Sequence, residues 1–309
     1  MSDTITSQAV DALVALARLV RATGYVFVSP TPATHARVLA RPGSGWAHDL
    51  RGVFGWSQPF RPETVPSTIL DAMHAASVLL PVGEGWRSTV RLSTLADELF
   101  LHSAYPTTAS DAVFFGPDTY RFAQAIETAL DRPLRRAVDV GCGAGPGAVM
   151  VARARPACEV FGVDINEAAL QLARANAVLA GVTVRFCLSD ILGGLDGSFD
   201  LIVANPPYMA DPGRRAYRDG GGPLGADLSV RIVKAARERL APGGTLMLYT
   251  GAAILHGRDP FRDAVAPLLD GWRWRYREID PDVFGEELEG GPYAAADRIA
   301  AVSLTAHKP

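Results

Sequence analysis

Short apolar runs alternate with helical stretches through the second part of the chain. The stretch at 166–180 has apolar residues at helical spacing after the cap candidate Asn166 and stops at Gly181, and a similar stretch at 229–240 stops at Pro242. Strands that alternate with helices form right-handed βαβ units, so the pattern predicts an α/β fold with a doubly wound, mostly parallel sheet. The predicted strands are Ala137–Val140, Glu159–Val163, Thr183–Leu188, Leu201–Ala204 and Thr245–Tyr249.

The C-terminal tail predicts two further strands, Trp272–Ile279 and Arg298–Thr305, which would form an antiparallel hairpin at the sheet edge and bring the sheet to seven strands. Aromatic residues and arginines alternate in WRWRYRE, residues 272–278. Alternation of period two is typical of a strand with one buried face, so this interpretation is favoured over a nucleic-acid surface.

Residues 1–110 differ from the rest of the chain in their pattern of apolar and polar residues. They predict a smaller, mainly helical N-terminal domain for substrate recognition, followed by a second domain at 111–309. The predicted helices lie near 7–22, 30–40 and 66–80, and the predicted β pair lies near 88–92 and 98–102. Helices followed by a small β-ribbon suggest a winged-helix-like module.

Composition limits the classes of function. With 309 residues, 48% hydrophobic and 20% charged, the chain has the composition of a soluble globular protein, and its net charge of -3 gives no overall attraction to nucleic acid or anionic membranes. Neither the three cysteines nor the six histidines stand at metal-binding spacing, so no metal is expected. No apolar run approaches the roughly 20 residues that span a bilayer, and the N-terminus lacks a basic signal segment, so we expect a cytoplasmic protein with no membrane partner.

The stretch VDVGCGAGPG, residues 138–147 and named here the glycine loop, follows the first predicted parallel strand and opens a helix. Ligands of open α/β sheets bind at the carboxyl ends of the strands, where glycines allow close backbone approach and a helix N-terminus offers unpaired N–H groups. A tight turn needs fewer glycines than this loop has. A dinucleotide fingerprint would need glycine or alanine where Pro146 stands, so we expect a different nucleotide-like ligand.

Three acidic residues lie at the ends of successive predicted strands. Asp139 precedes the first loop glycine by two positions, Asp164 lies twenty-one positions past Gly143, and Asp190 follows the third strand. A carboxylate that ends the second strand can accept hydrogen bonds from ribose hydroxyls. Such acids can also be helix caps, but three of them in step with the glycines favour one adenosine-bearing ligand, and a cationic one.

Together with Asn205-Pro206-Pro207-Tyr208, these motifs resemble class I S-adenosylmethionine-dependent methyltransferases, and within them the amino-methylating branch. The resemblance covers about residues 113–250 and implies a Rossmann-like domain with S-adenosyl-L-methionine as cofactor. It implies that the glycine loop and Asp139 hold the methionine part, Asp164 the ribose and Asp190 the adenine amino group. The implied cofactor-binding residues are Asp139, Gly141, Cys142, Gly143, Gly145, Asp164, Ile165, Asp190, Ile191 and Asn205, with the two isoleucines flanking the adenine ring.

Residues 205–208, the acceptor loop, end the strand Leu201–Ala204 with two prolines. Proline fixes φ and has no N–H, so this loop is stiff and rich in hydrogen-bond acceptors. The Asn205 oxygen and the Pro206 carbonyl can hold both hydrogens of an NH₂ group, while Tyr208 lies against a flat substrate face. An amide nitrogen is a poor nucleophile because its lone pair is delocalised, so two acceptors that aim this lone pair at a methyl group would accelerate transfer mainly by positioning. The predicted catalytic residues are Asn205, Pro206, Pro207 and Tyr208.

The acceptor-loop motif is shared between glutamine N5-methyltransferases of release factors and enzymes that act on adenine or other exocyclic amines. The stretch 114–122 resembles the Pro-Arg-Pro-(Glu/Asp)-Thr-Glu segment of the glutamine branch, which 117–119 matches. Gly116 and Tyr120 stand where the branch has arginine and glutamate, and the stretch 249–251 reads Tyr-Thr-Gly where the branch has Glu-x-Gly. These departures fall where substrate recognition is expected.

The loop at 209–222 is long, glycine-rich and contains three arginines. It fits either a lid that grips an acidic peptide or a phosphate backbone, or a solvated loop. The predicted substrate-binding residues are Thr119, Tyr208, Arg214 and Arg215.

The sequence therefore predicts an S-adenosylmethionine-dependent N-methyltransferase that acts on a planar or primary nitrogen, with a protein glutamine side chain as the leading target. The enzyme alternatives are a nucleic-acid methyltransferase acting on adenine N6 or guanine N2, and a small-molecule N-methyltransferase. From another class, a catalytically idle cofactor-binding module is the alternative.

Overall fold

The computed structural model describes residues 2–309, with side chains described from Ser7 onward. The α-helices are α1 (Ser2–Ala22), α2 (Pro32–Leu39), α3 (Ser67–Ala75), α4 (Pro117–Glu127), α5 (Pro146–Ala154), α6 (Glu167–Ala180), α7 (Asp227–Arg239) and α8 (Pro260–Val265). The strands are β1 (Leu79–Val82), β2 (Gly85–Ser88), β3 (Val90–Leu95), β4 (Glu98–Ser103), β5 (Arg136–Val140), β6 (Glu159–Asp164), β7 (Arg185–Leu188), β8 (Phe199–Ala204), β9 (Leu240–Ile254), β10 (Arg273–Asp280) and β11 (Arg298–His307). Across these described residues, no helix combines the length and the apolar character that crossing a membrane requires.

The central sheet has seven strands in the order β10-β11-β9-β8-β5-β6-β7. Strands β9, β8, β5, β6 and β7 run parallel, β11 pairs antiparallel with β9, and β10 pairs antiparallel with β11 at the sheet edge. The predicted fold class and the antiparallel tail strands are therefore confirmed. The chain proceeds from β5 to β6 and β7, then returns to place β8 on the other side of β5. Such a switch point opens a crevice at the carboxyl ends of the strands.

The largest difference from the predicted strands concerns β9. It begins at Leu240, directly after α7, and continues to Ile254, beyond both ends of the predicted run. Leu240 already has an extended conformation with φ -74° and ψ 137°, so the chain passes from helix to sheet without a separate turn. The register against β8 shifts between Phe199 and Leu201 and so accommodates the Pro-Gly-Gly stretch. The far end is longer than predicted because β11 pairs with β9 as far as Ile254.

The N-terminal region contains the three predicted helices and the predicted hairpin, β3–β4. A further hairpin, β1–β2, was not predicted. Helix α3 ends at Ala75 because Ser77 adopts φ 54°, which directs the chain into β1. The winged-helix-like arrangement stays a prediction.

The N-terminal region and the α/β part share a hydrophobic cluster, which includes Leu16 of α1 and Leu179 of α6. A buried amide strengthens this contact: Asn176 Nδ2 donates to the carbonyls of Leu101 and Ala144, each at 2.9 Å, and its Oδ1 accepts from the Leu101 N–H at 2.8 Å. Helix α6 is therefore bonded both to β4 and to the glycine loop. The division into 1–110 and 111–309 stays a prediction.

Candidate active site

A cavity of about 830 Å³ opens at the carboxyl ends of β5, β6 and β8. It contains nearly all of the predicted site residues, namely Thr119, Asp139, Gly141, Cys142, Gly143, Asp164, Ile165, Asp190, Ile191, Asn205, Pro206, Pro207, Tyr208, Arg214 and Arg215. Gly145 lies behind the wall instead, as the N-cap of α5 packed near Ala173 and Phe186. The topology thus brings together residues that are about a hundred positions apart.

The glycine loop has the backbone conformation that its composition predicts. Gly141, Gly143 and Gly145 have φ values of 67°, 54° and 82°, in the left-handed region that favours glycine. The Cys142 N–H donates to the carbonyl of Val163 at 3.0 Å, which ties the loop to the end of β6.

Asp164 fixes the geometry between the glycine loop and α6. Its Oδ2 accepts from the Gly143 N–H at 2.8 Å, and its Oδ1 accepts from the Asn166 N–H at 2.9 Å. Burial raises the pKa of this carboxyl, and the backbone N–H donors oppose the rise. Asp190 lies at the more exposed rim, where it pairs with Arg231 at 2.6 Å. In the part of the chain with described side chains, no group of three His, Cys, Asp or Glu residues is arranged to hold a metal ion.

Asp139 is buried at the cavity wall with half of its carboxylate unsatisfied. The Ala148 N–H donates to Oδ2 at 2.9 Å, whereas no described protein group hydrogen-bonds Oδ1. Burial raises the pKa of Asp139 to about 8, the Ala148 N–H opposes the rise, and the charge of Asp164 adds to it. A buried polar atom without a partner is costly, so Oδ1 suits a ligand that donates hydrogen bonds and carries positive charge.

The acceptor loop borders the glycine loop and is supported from behind by backbone. A Cβ added to Gly141 would lie 3.9 Å from the Pro206 Cα. Behind the loop, a Cβ on Gly225 would lie 2.3 Å from the carbonyl oxygen of Tyr208, and a Cβ on Gly220 would lie 1.9 Å from that of Gly225. The glycine-rich stretch therefore permits close backbone packing against the acceptor loop.

Tyr208 is held by a residue that the sequence indicated only as a motif match. Its hydroxyl donates to Asp118 Oδ2 at 2.6 Å, and the Tyr249 hydroxyl donates to Asp118 Oδ1 at 2.8 Å. Burial, followed by the charge of Asp118, raises the pKa of both tyrosines, so both stay protonated donors. The sequence motifs contain both an acidic residue in 117–119 and a tyrosine at 249. The spacing of these motifs, however, does not indicate that the two residues are in contact.

The loop at 209–222 forms a structured roof over the cavity and is named the roof loop. Arg215 Nε donates to Asp211 at 2.8 Å, and this contact lowers the Asp211 pKa to about 2. The Tyr217 hydroxyl donates to the carbonyl of Thr107 at 2.6 Å, which ties the roof loop to the N-terminal region. Of the two predicted substrate arginines, Arg215 is engaged within the loop, and Arg214 has 88% of its side chain exposed at the rim. The solvated-loop interpretation therefore does not describe this segment.

Residues 117–254 match the Methyltransferase small domain family. A release factor glutamine methyltransferase of Deinococcus radiodurans is 38% identical over 162 residues, which cover 49% of this chain and 55% of that protein. One of Koribacter versatilis is 32% identical over 183 residues, which cover 55% of this chain and 62% of that protein. The chain thus spans less than two thirds of the length of either relative.

Among solved structures, Trm5 of Methanocaldococcus jannaschii in complex with adenosine is similar in fold, with a TM-score of 0.52 and 14% identity. The similarity covers 82% of this chain and 63% of that chain. The resemblance to class I methyltransferases that the motifs indicated is therefore confirmed over residues 117–254.

Proposed function

We propose that this chain is an S-adenosylmethionine-dependent N-methyltransferase and that its acceptor is the side-chain amide of a protein glutamine. The observation that carries the proposal is the position of the acceptor loop, which borders the glycine loop within one cavity. Two named release factor glutamine methyltransferases that are similar to the same part of the chain support the choice of a protein amide.

The residues of the cavity fit S-adenosylmethionine. The unpaired Asp139 Oδ1 suits the ammonium group of the methionine part, and Asp164 lies where ribose hydroxyls would reach its remaining lone pairs. Asp190 at the rim would accept from the adenine amino group, beside Ile165 and Ile191. When bound, the cofactor supplies a methyl group that is activated for attack by a nitrogen lone pair.

The protein's own groups then position the acceptor. The Asn205 oxygen and the Pro206 carbonyl would each accept one hydrogen of the substrate NH₂, which turns its lone pair out of conjugation and toward the methyl group. Tyr208 would support the flat face of the amide. The proton that the product nitrogen must lose leaves after transfer, so no strong base is required. Positioning of this kind is worth effective molarities of about 10⁵–10⁸ M in well-oriented systems.

We also infer that the N-terminal region selects the substrate. Pro32 and the segment 105–108 line the same cavity as the acceptor loop. Thr107 accepts a hydrogen bond from the roof loop, so this region forms part of the wall that an incoming acceptor meets.

The test uses radiolabelled S-adenosylmethionine, the purified chain and an extract of cells that lack its gene, divided between protease and nuclease treatment. Protease-sensitive label that acid hydrolysis releases as methylamine is the expected result, because an N-methylated amide yields methylamine when it is cleaved. Nuclease-sensitive label would replace the proposal with a nucleic-acid substrate. Label that survives both treatments in the small-molecule fraction would replace it with a small amine.

A further inference from the structure

Three distant segments of the chain meet at the carboxylate of Asp118. This residue lies in the first turn of α4, Tyr208 lies in the acceptor loop, and Tyr249 lies in β9. Both tyrosine hydroxyls donate to the carboxylate, at 2.6 Å and 2.8 Å, and Arg121 adds an ion pair at 3.2 Å. Arg121 also pairs with Asp280 of β10 at 2.7 Å, so the cluster is anchored to two strands of the sheet.

The ring of Tyr208 is fixed as firmly as its hydroxyl. It lies so close to β9 that a Cβ on Gly251 would be 2.2 Å from the ring, and Phe284 contacts it edge-on with ring centroids 6.0 Å apart. Rotation of the side chain would therefore break a charge-assisted hydrogen bond or collide with backbone. Because Tyr208 follows the two prolines directly, fixing its position also restrains the Pro206 and Pro207 carbonyls.

We propose that Asp118 is a positioning residue for methyl transfer, which holds the acceptor loop in its working geometry through Tyr208, with Tyr249 as the second donor that keeps the carboxylate in place. The inference rests on the proposed function. Asp118 acts through Tyr208 and touches neither of the reacting groups. A misplacement of the acceptor loop by about 1 Å costs about 10²-fold in rate, so loss of this contact lowers turnover and leaves cofactor affinity unchanged.

The test compares Asp118→Ala, which removes both acceptor oxygens, Tyr208→Phe and the double variant, with Tyr249→Phe as a milder change that removes one donor and retains the carboxylate. Tyr276→Phe is the control, because the Tyr276 hydroxyl donates to Asp259 in a partly buried tyrosine–aspartate pair outside the cavity. The affinity for S-adenosylhomocysteine is measured by calorimetry. The single-turnover rate is measured with radiolabelled S-adenosylmethionine and the protease-sensitive fraction of the extract described above.

Each single site variant is expected to bind S-adenosylhomocysteine like the native chain and to transfer methyl about 10²-fold more slowly, with a smaller loss for Tyr249→Phe. The double variant is expected to be no slower than the slower single variant, because both changes remove one contact. The inference would be overturned if the rate losses of the two single variants added in the double variant, or if Tyr276→Phe lost as much rate as they do. In either case the activity of the native chain would still uphold the proposed function. A native chain that transfers no label would overturn the proposed function itself.

Discussion

Replacing Asp139 with asparagine removes the buried carboxylate that we propose binds the ammonium group of the methionine part. The replacement keeps the shape of the side chain. The amide oxygen of the variant can still accept from the Ala148 N–H, which now bonds Oδ2. The expected effect is therefore on the pH dependence of cofactor binding and not on the geometry of the glycine loop.

The magnitude follows from the pKa of about 8 that burial gives this carboxyl. In the free chain about 0.9 of Asp139 is protonated at neutral pH, and a cationic ligand binds only the ionised form, so binding releases a proton. The ionised fraction increases about ninefold between about pH 6 and pH 7, and so should the affinity. Between about pH 6 and pH 7 the ligand's amino group, with a pKa of about 7.7, stays mostly protonated and adds only a small opposing trend.

The affinity for S-adenosylmethionine is measured by calorimetry across this range, in two buffers with different ionisation enthalpies so that proton release is counted directly. Asp139→Asn is expected to bind more weakly and to lose the slope. Unliganded native protein should also lose stability as pH rises from the ordinary aspartate pKa toward 8, because the native state holds a proton that the unfolded state has released. An affinity of the native chain that is independent of pH, or an equal slope in Asp139→Asn, would refute the assignment.

Three further changes test separate parts of the molecule. Asn205→Ala should lower the single-turnover rate by about 10²-fold and change the S-adenosylhomocysteine affinity much less, and a loss of binding alone would contradict the assigned catalytic role. Asn176→Leu leaves buried groups of Leu101 and Ala144 without partners, so its unfolding free energy in urea should fall by about 2–5 kcal/mol. Arg91→Met should raise the unfolding free energy by about 1–4 kcal/mol, because Nε and Nη2 of this buried side chain have no hydrogen-bond partner among the described residues. An unfolding free energy below that of the native chain would mean that these two nitrogen atoms do have hydrogen-bond partners.

Local features of the sequence were sufficient to predict most of the sheet. Strands β5, β6 and β8 are short apolar runs bounded by turn residues, and helix α6 begins at the cap Asn166 and ends at Gly181, as predicted. The β1–β2 hairpin was missed because β1 contains a proline and its side chains are half-buried or exposed, without an alternating pattern. Helix α3 was predicted too long because Ser77, rather than a glycine, takes the left-handed conformation that ends it.

The glycine loop and the acceptor loop were predictable because each is one continuous stretch whose residue types serve one local geometry. The cluster at Asp118 was not, because its hydrogen bonds join residues 90 and 131 positions apart. The same holds for the roof, where the Tyr217 hydroxyl bonds the carbonyl of Thr107 across 110 positions. Such contacts follow from the strand order, which no motif spacing encodes.

The three departures from the glutamine-branch pattern each contact another part of the cavity's surroundings. A Cβ on Gly116 would lie 2.5 Å from the ring of Phe114, which itself lines the cavity, so a larger residue there would displace this ring. The Tyr120 hydroxyl accepts from the Ser29 N–H at 3.0 Å, and Tyr249 holds the carboxylate that orients the acceptor loop. All three residues contact other parts of the chain. Replacing any one of them with the residue that the glutamine branch has at that position would therefore break a contact. We infer that the three departures belong to the wall of the cavity, and that one of them, Tyr249, also bears on methyl transfer through the Asp118 carboxylate.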